Sequence, residues 1–207
     1  MTRTKYALLF LTLLLIAGGV YYWTVVTADL EAPKYTVVKQ DGDIEIRAYD
    51  PFIIATAKVS GARYEAATDG FRKIFRFISG DNETSTKISM TRPVRQELLS
   101  ETGDYKISFV MPRKYTLENL PIPDSKLVTF ERVEGFRAIA IRFSGSNTDE
   151  NVKEHENELK AYISKHKLAV EDLDKPIYAF YDPPFMLPFL RRNEVMYRLK
   201  ESAPSSN

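Results

Sequence analysis

Hydrophobic positions run without interruption at the start of the chain and then break into short periodic segments. From Ala7 to Val26 twenty residues, ALLFLTLLLIAGGVYYWTVV, carry no charge, and Arg3 and Lys5 precede them. At about 1.5 Å of rise per residue, a helix of that length covers a hydrocarbon core of about 30 Å. Tyr21, Tyr22 and Trp23 fall where an interfacial aromatic belt sits, and the leading basic residues predict a cytoplasmic N-terminus. The expected organisation is a cytoplasmic N-terminus over 1–6, a transmembrane anchor over 7–28, a linker over 29–34, a body over 35–200 on the periplasmic or extracellular side, and a disordered tail over 201–207. A cleaved signal segment is the rival, since Val26-Thr27-Ala28 ends in a small residue, although the apolar run is longer than a usual signal core. Either reading exports the body.

Beyond residue 34 the pattern shortens. Tyr35 to Val38 and Ile44 to Arg47 flank Gln40-Asp41-Gly42-Asp43, a hairpin signal, and Phe52 to Val59 reads as a third strand ending at Ser60-Gly61. Between Tyr64 and Ile78 the spacing of Tyr64, Ala67, Phe71, Ile74, Phe75 and Ile78 predicts one buried face of a helix, with Arg63, Glu65, Asp69, Arg72, Lys73 and Arg76 opposite. Strands are expected over Ile88 to Val94 and Tyr105 to Met111, and the prolines of Leu120-Pro121-Ile122-Pro123-Asp124 exclude regular structure there. The second half repeats the first in outline. Leu127 to Arg132 and Gly135 to Phe143 read as strands, the latter ending at Ser144-Gly145 as the earlier one ends at Ser60-Gly61. A helix follows over Asp149 to Lys165, capped by Thr148 or Asn147, and strands over Ile177 to Tyr181 and Asn193 to Leu199 enclose a Pro-rich loop. Two such halves predict an internal duplication and an α+β fold, one sheet system carrying two helices.

Composition narrows the chemistry. The 207 residues include no cysteine, which excludes a disulfide scaffold, a thiol nucleophile and a thiolate metal site. A formal net charge of +1 and the lack of a long basic run give no reason to expect nucleic acid. No phosphate loop, nucleophile elbow or zinc helix occurs, so no enzyme is expected. Of the two histidines, His155 lies on the apolar stripe of the second helix; pairing it with Glu154 or Glu158 around a metal is outweighed by simple packing, and no metal site is expected. Two aromatic groups stand out, Phe71 and Phe75 on the first helix and Phe185, Met186 and Leu187 in the late loop, bordered by Arg72 and Arg76 and by Arg191 and Arg192. If they converge, they form an apolar pocket rimmed by cations, suited to a flat hydrophobic ligand bearing carboxylates. Aromatic residues at helical spacing are also the ordinary composition of a core.

Six segments occur in order: Tyr35-Thr36-Val37-Val38 leading to Glu45-Ile46-Arg47-Ala48-Tyr49; Gly70-Phe71 with Ile78-Ser79-Gly80-Asp81-Asn82; Ile88-Ser89-Met90-Thr91-Arg92-Pro93-Val94; Phe109-Val110-Met111-Pro112; Phe143-Ser144-Gly145; and Arg191-Arg192-Asn193-Glu194-Val195. Together they resemble the SOUL haem-binding protein family over residues 33 to 200. The resemblance implies a distorted antiparallel β-barrel of two duplicated halves with two α-helices, similar also to effector-binding domains. It further implies a non-enzymatic protein that binds haem, non-covalently, or another tetrapyrrole in a groove where Phe71, Phe75 and Arg76 face Phe185, Met186 and Leu187. Some members carry a histidine, proposed as an axial ligand, where this chain has Ala48; without it, affinity rests on ring burial and on pairing of propionates with Arg76. Arg92 replaces the family's usual small residue and adds a cation. The expected function is a membrane-anchored tetrapyrrole binder or carrier. The alternative is a membrane-tethered sensor or interaction module whose groove takes another apolar small molecule or a partner helix.

Overall fold

The computed structural model describes residues 5–14, 18, 19, 21, 30–100 and 103–200. The chain divides into two units, Met1–Glu31 and Ala32–Asn207. In the first, residues 5–14, 18, 19 and 21 are helical, and among the described residues no helix is long and apolar enough to cross a membrane. Much of the expected span 7–28, with Tyr22 and Trp23 of its aromatic belt, lies outside the described residues, as does the expected tail 201–207.

The second unit runs β1 (Tyr35–Asp41), β2 (Ile44–Tyr49), β3 (Phe52–Ser60), α1 (Arg63–Ile78), β4 (Val94–Ser100), β5 (Asp104–Val110), β6 (Thr129–Val133), β7 (Phe136–Phe143), α2 (Asp149–Lys165), β8 (Ile177–Phe180) and β9 (Asn193–Arg198), with a single 3-10 turn at Pro188–Leu190. The Asp-Gly hairpin closes β1 on β2, and Gly42 takes the positive φ of 59° that its turn requires. Nine strands form one antiparallel sheet in the order β1-β2-β7-β9-β8-β4-β5-β3-β6. The expected duplication is visible in it. β3-α1-β4-β5 and β7-α2-β8-β9 have the same pairing, and β4 joins β8 at the seam. Each unit also borrows the strand that precedes the other, since β2 pairs with β7 and β6 with β3.

Connection lengths bend this sheet. β2 and β3 lie six strand positions apart, as do β6 and β7, yet only Asp50-Pro51 and Glu134-Gly135 connect them. A flat sheet would separate each pair by about 29 Å at about 4.8 Å per strand, whereas two linking residues reach at most about 11 Å. The sheet therefore curls until its two ends approach, and Phe52 of β3 meets Phe136 of β7 with ring centroids 6.3 Å apart. The expected barrel is corrected to an open curled sheet, because β1 and β6 remain edges of the ladder.

Curling gives the sheet two unlike faces. The convex face carries the helices, α1 over β5 and β3 and α2 over β7 and β9. Ile74, Phe77 and Ile78 of α1 bury against Ala55, Ala57, Ile107 and Phe109, while Val152, Leu159 and Ile163 of α2 bury against Ile139, Ile141, Val195 and Tyr197. Burying such side chains contributes about 1.5–3 kcal/mol each. Two expectations for α1 are corrected. Its buried stripe includes Arg63, Ala66, Gly70 and Phe77, while Tyr64 and Phe75 are exposed. The strand expected over Ile88 to Val94 begins instead at Val94. Its polar sequence, VRQELLS, hides it because Arg95 and Gln96 point into buried space. Thr148 caps α2 by accepting from the Asn151 amide, while Asn147 accepts from Arg63.

Helix α1 lies so near β5 that a Cβ on Gly70 would stand 2.3 Å from Ile107 Cγ1 and 2.6 Å from its Cβ. Gly70→Ala should therefore destabilise the domain by about 1–3 kcal/mol, although alanine favours an isolated helix by about 1 kcal/mol. Urea unfolding monitored by circular dichroism reads the sign, and a stabilised variant would contradict this packing.

Candidate functional site

On the outer side of α1, Phe71 is half-buried. It stacks on Phe75 at 5.5 Å with rings 12° from parallel and leans on Phe109 at 5.3 Å. Phe75 is 45 % exposed. One residue on, Arg76 is exposed and paired with Asp81 at 2.7 Å. The next loop is fixed by buried Asn82, whose amide donates to Phe77 O and Thr86 O and accepts from the Thr86 amide.

Strand register relates this aromatic stack to the late loop. Phe109 on β5 pairs with Val94 on β4, Val94 with Phe180 on β8, and Phe180 with Asn193 on β9. Paired residues point to one face, so Val94 and Phe180, both half-buried, share the convex face with Phe109. The loop 181–192 springs from the Phe180 and Asn193 end of that row, about two strand spacings or ~10 Å from Phe109. The loop therefore leaves the sheet at the strand end that carries the half-buried row of Val94 and Phe180, in register with Phe109 beneath α1. Phe185 is 73 % exposed and Leu187 is exposed beside it, but Met186 is buried at 8 %. Arg191 holds the loop by donating to Met186 O at 2.8 Å and to Pro184 O. Exposed Phe189 and Leu190 extend its apolar surface.

At the other end of α1, buried Arg63 donates to Asp149 Oδ1 and Asn147 Oδ1, both at 2.6 Å, and lies over the rings of Tyr178 and Phe180. It is not the solvated cation expected from the helical pattern; it ties the two helix starts together. His155 stacks on Phe143 at 4.1 Å and its Nδ1 meets Asn151 O at 2.8 Å. Among the described residues, no group of three or more His, Asp or Glu side chains stands ready for a metal ion.

The concave face holds the Arg47–Glu194 pair. Glu194 is 0 % exposed and receives Arg47 Nη1 at 2.7 Å and Nη2 at 3.0 Å, Arg192 Nη2 at 2.6 Å and the Tyr181 hydroxyl at 2.9 Å. Burial alone would raise its pKa, but the two guanidinium groups outweigh burial and hold the carboxyl below its usual range. Burial pushes the Tyr181 hydroxyl well up, reinforced by the Glu194 charge. Arg192 also lies 4.1 Å from the Tyr181 ring centre, so it does not rim the outer strip as the sequence pattern implies. Arg47 and Glu194 lack helical or motif-spacing signals. Besides lying in two of the segments that carry the family resemblance, they are marked by strand alternation, which in IEIRAY and NEVMYR sets Arg47 and Tyr49, and Glu194 and Met196, on one face.

A family model described as SOUL heme-binding protein matches residues 30–198. The chain belongs to the SOUL family. Its body is similar to Heme-binding protein 1 of Mus musculus, 29 % identical over 163 residues that cover 76 % of this chain and 84 % of that protein. It is also similar to the Xenopus laevis protein of the same name, 26 % identical over 74 % of this chain and 82 % of that one. In fold, this SOUL chain resembles the C-terminal domain of EcmrR, with a TM-score of 0.61 at 8 % identity over 81 % of this chain and 99 % of that one. The SOUL segments named from the sequence now separate by face. Arg47, Tyr49 and Glu194 are concave, Gly70 and Phe71 are convex, and Ala48 is on β2 facing away from Arg47.

The depressed Glu194 carboxyl makes stability depend on acid. A carboxyl whose folded pKa lies below its unfolded value near 4.5 contributes stability that is present above that value and lost as pH falls through the folded one. Glu194→Gln also takes the charge partner from buried Arg47 and half-buried Arg192 and should cost about 3–5 kcal/mol at neutral pH. Denaturant unfolding between about pH 6 and pH 3 should show a shallower loss of stability in the variant than in the parent. An unchanged slope would remove Glu194 from the acid response.

Proposed function

We propose that this SOUL chain binds haem or a related tetrapyrrole on the strip between α1 and the loop 181–192, as a non-enzymatic binding or carrier protein. The observation that carries the reading is the stacked Phe71 and Phe75 pair, with Phe75 exposed, together with exposed Phe185 and Leu187 on the loop that leaves the sheet at Phe180. Apolar surface of this kind, left open on a folded domain, marks a place where something flat and hydrophobic is received. Similarity to Heme-binding protein 1 supports a tetrapyrrole as that ligand.

In this reading Phe71 and Phe75 cover one side of the ring, Phe185 and Leu187 the other, and Met186 shapes the loop from beneath. Arg76 supplies the charge. Its ion pair with Asp81 is on the surface and worth about 0–1 kcal/mol, so a propionate displaces it at little cost. Among residues 71–76 and 185–187 the one soft donor atom is the sulfur of buried Met186. The ring and its carboxylates, and not the iron, are therefore what these side chains hold. The charge-free run from Ala7 to Val26 supports a membrane anchor that presents the body on the periplasmic or extracellular side. Retention in membranes after alkaline extraction is the result expected of an anchor, and full release contradicts it.

A hemin titration of the full chain tests the ligand. Saturable Soret change at roughly micromolar hemin is expected. Its absence, or a colourless preparation carrying lipid in the same strip, contradicts the reading. Phe75→Ala should weaken binding by about 1–2 kcal/mol, roughly 5- to 30-fold. Arg76→Glu should weaken hemin more than its dimethyl ester, and equal losses would take the propionate away from Arg76.

A further inference from the structure

The concave face contains a cavity of about 130 Å³ that the outer strip does not share. Five aromatic rings line it, those of Tyr35, Tyr49, Phe52, Phe136 and Tyr181. Tyr49 and Phe136 stack at 4.9 Å, 13° from parallel, and Phe52 tilts against Phe136. Its charged lining consists of three arginines, Arg92, Arg95 and Arg192, without a carboxylate. Arg192 is committed to Glu194 at 2.6 Å.

Arg95 is differently placed. It is 2 % exposed, lies 5.4 Å from the centre of the Phe52 ring, and among the described residues neither its Nη1 nor its Nη2 has a hydrogen-bond partner. Nη2 is 3.0 Å from Glu97 Oε1, an ion pair whose geometry leaves both atoms without a hydrogen bond. Glu97 is in turn shared with Lys106 at 3.2 Å. Directly across the ladder from Arg95, the Ser108 hydroxyl is buried and also lacks a partner. A buried guanidinium left with open donors is costly unless an acceptor reaches it. Arg95 is among the residues that line the cavity walled by aromatic rings.

We propose that this cavity is a second ligand site, for a small aromatic carboxylate whose ring lies among Tyr49, Phe52 and Phe136 and whose carboxylate accepts from Arg95. Size sets the class. An apolar cavity of about 150 Å³ accepts a single benzene ring. A tetrapyrrole is several rings too large, so the two sites take different ligands. Charge sets the sign, because Arg95 Nη1 has no acceptor and Nη2 has only its ion pair with Glu97, so the guanidinium can still donate to a carboxylate. The flat π-faces favour a planar body over an aliphatic one. The site stands on residues of β2, β3, β4 and β7 and is independent of whether the outer strip binds haem.

Calorimetric titration of the full chain with benzoate tests it, with benzamide as the neutral isostere. One equivalent of benzoate should bind saturably, benzamide at least about tenfold more weakly, and Arg95→Met should weaken benzoate by about tenfold or more. Arg95→Lys, which keeps the charge but loses the fork, should fall between. Added hemin should leave the benzoate isotherm unchanged. No saturable benzoate binding up to about 10 mM, equal binding of benzamide, an unaffected Arg95→Met protein, or displacement by hemin would each overturn the proposal. The benzamide and hemin arms use the unaltered protein and decide the matter even if the Arg95 variants do not fold.

Discussion

Two links of two residues each govern this domain. Asp50-Pro51 and Glu134-Gly135 join strands that lie six positions apart in the sheet, and no flat arrangement satisfies them. Curvature follows from that constraint, and the division of the molecule into two faces follows from curvature. The helices cover the convex face because each begins and ends on strands of one repeat. The concave face is enclosed by the sheet itself and so can hold charge away from water.

The consequences differ by face. On the convex side the forces are apolar and local, with α1 seated so closely on β5 that Gly70 cannot be larger. Val94 and Phe180 stay half-buried on this face, and Phe75, Phe185 and Leu187 stay exposed. On the concave side small residues, Ala138, Ala140 and Ala179, leave room for long ones, and Arg47, Glu194 and Arg192 occupy it as a paired cluster. Such a cluster adds little net stability over a well-packed apolar core. Its tolerance here rests on near-complete pairing, which Arg95 and Ser108 lack.

Much of the architecture was legible because it is written in short-range signals. Asp41-Gly42, the capping Thr148, the helix from 149 to 165 and the matched Ser-Gly endings all act through neighbouring residues, and each lies where the pattern puts it. The misses share a cause. Arg63, Arg95 and Glu194 are polar residues in buried positions, and hydrophobic periodicity assigns such residues to solvent. For that reason the hydrophobic pattern puts β4 too early in the chain and turns the buried stripe of α1 away from Phe77. The exchange of β2 and β6 between repeats, which curls the sheet, depends on pairings between residues far apart in the chain, such as Tyr49 with Phe136 and Phe52 with Val133, and leaves no local mark. Of the six residues assigned to the groove from sequence, Phe71, Phe75 and Arg76 stay together on α1, and Phe185 and Leu187 are exposed on the loop, while Met186 is interior.

On the proposed reading the tetrapyrrole sits on the outer strip and not in the concave cavity. Amide chemical-shift mapping of the isotope-labelled full chain with zinc protoporphyrin tests it most directly. The account expects ring-current shifts concentrated on residues 71–76 and 183–190, with the amides of Tyr49, Arg95 and Phe136 unmoved. Shifts centred on those three amides, with α1 unaffected, would contradict it.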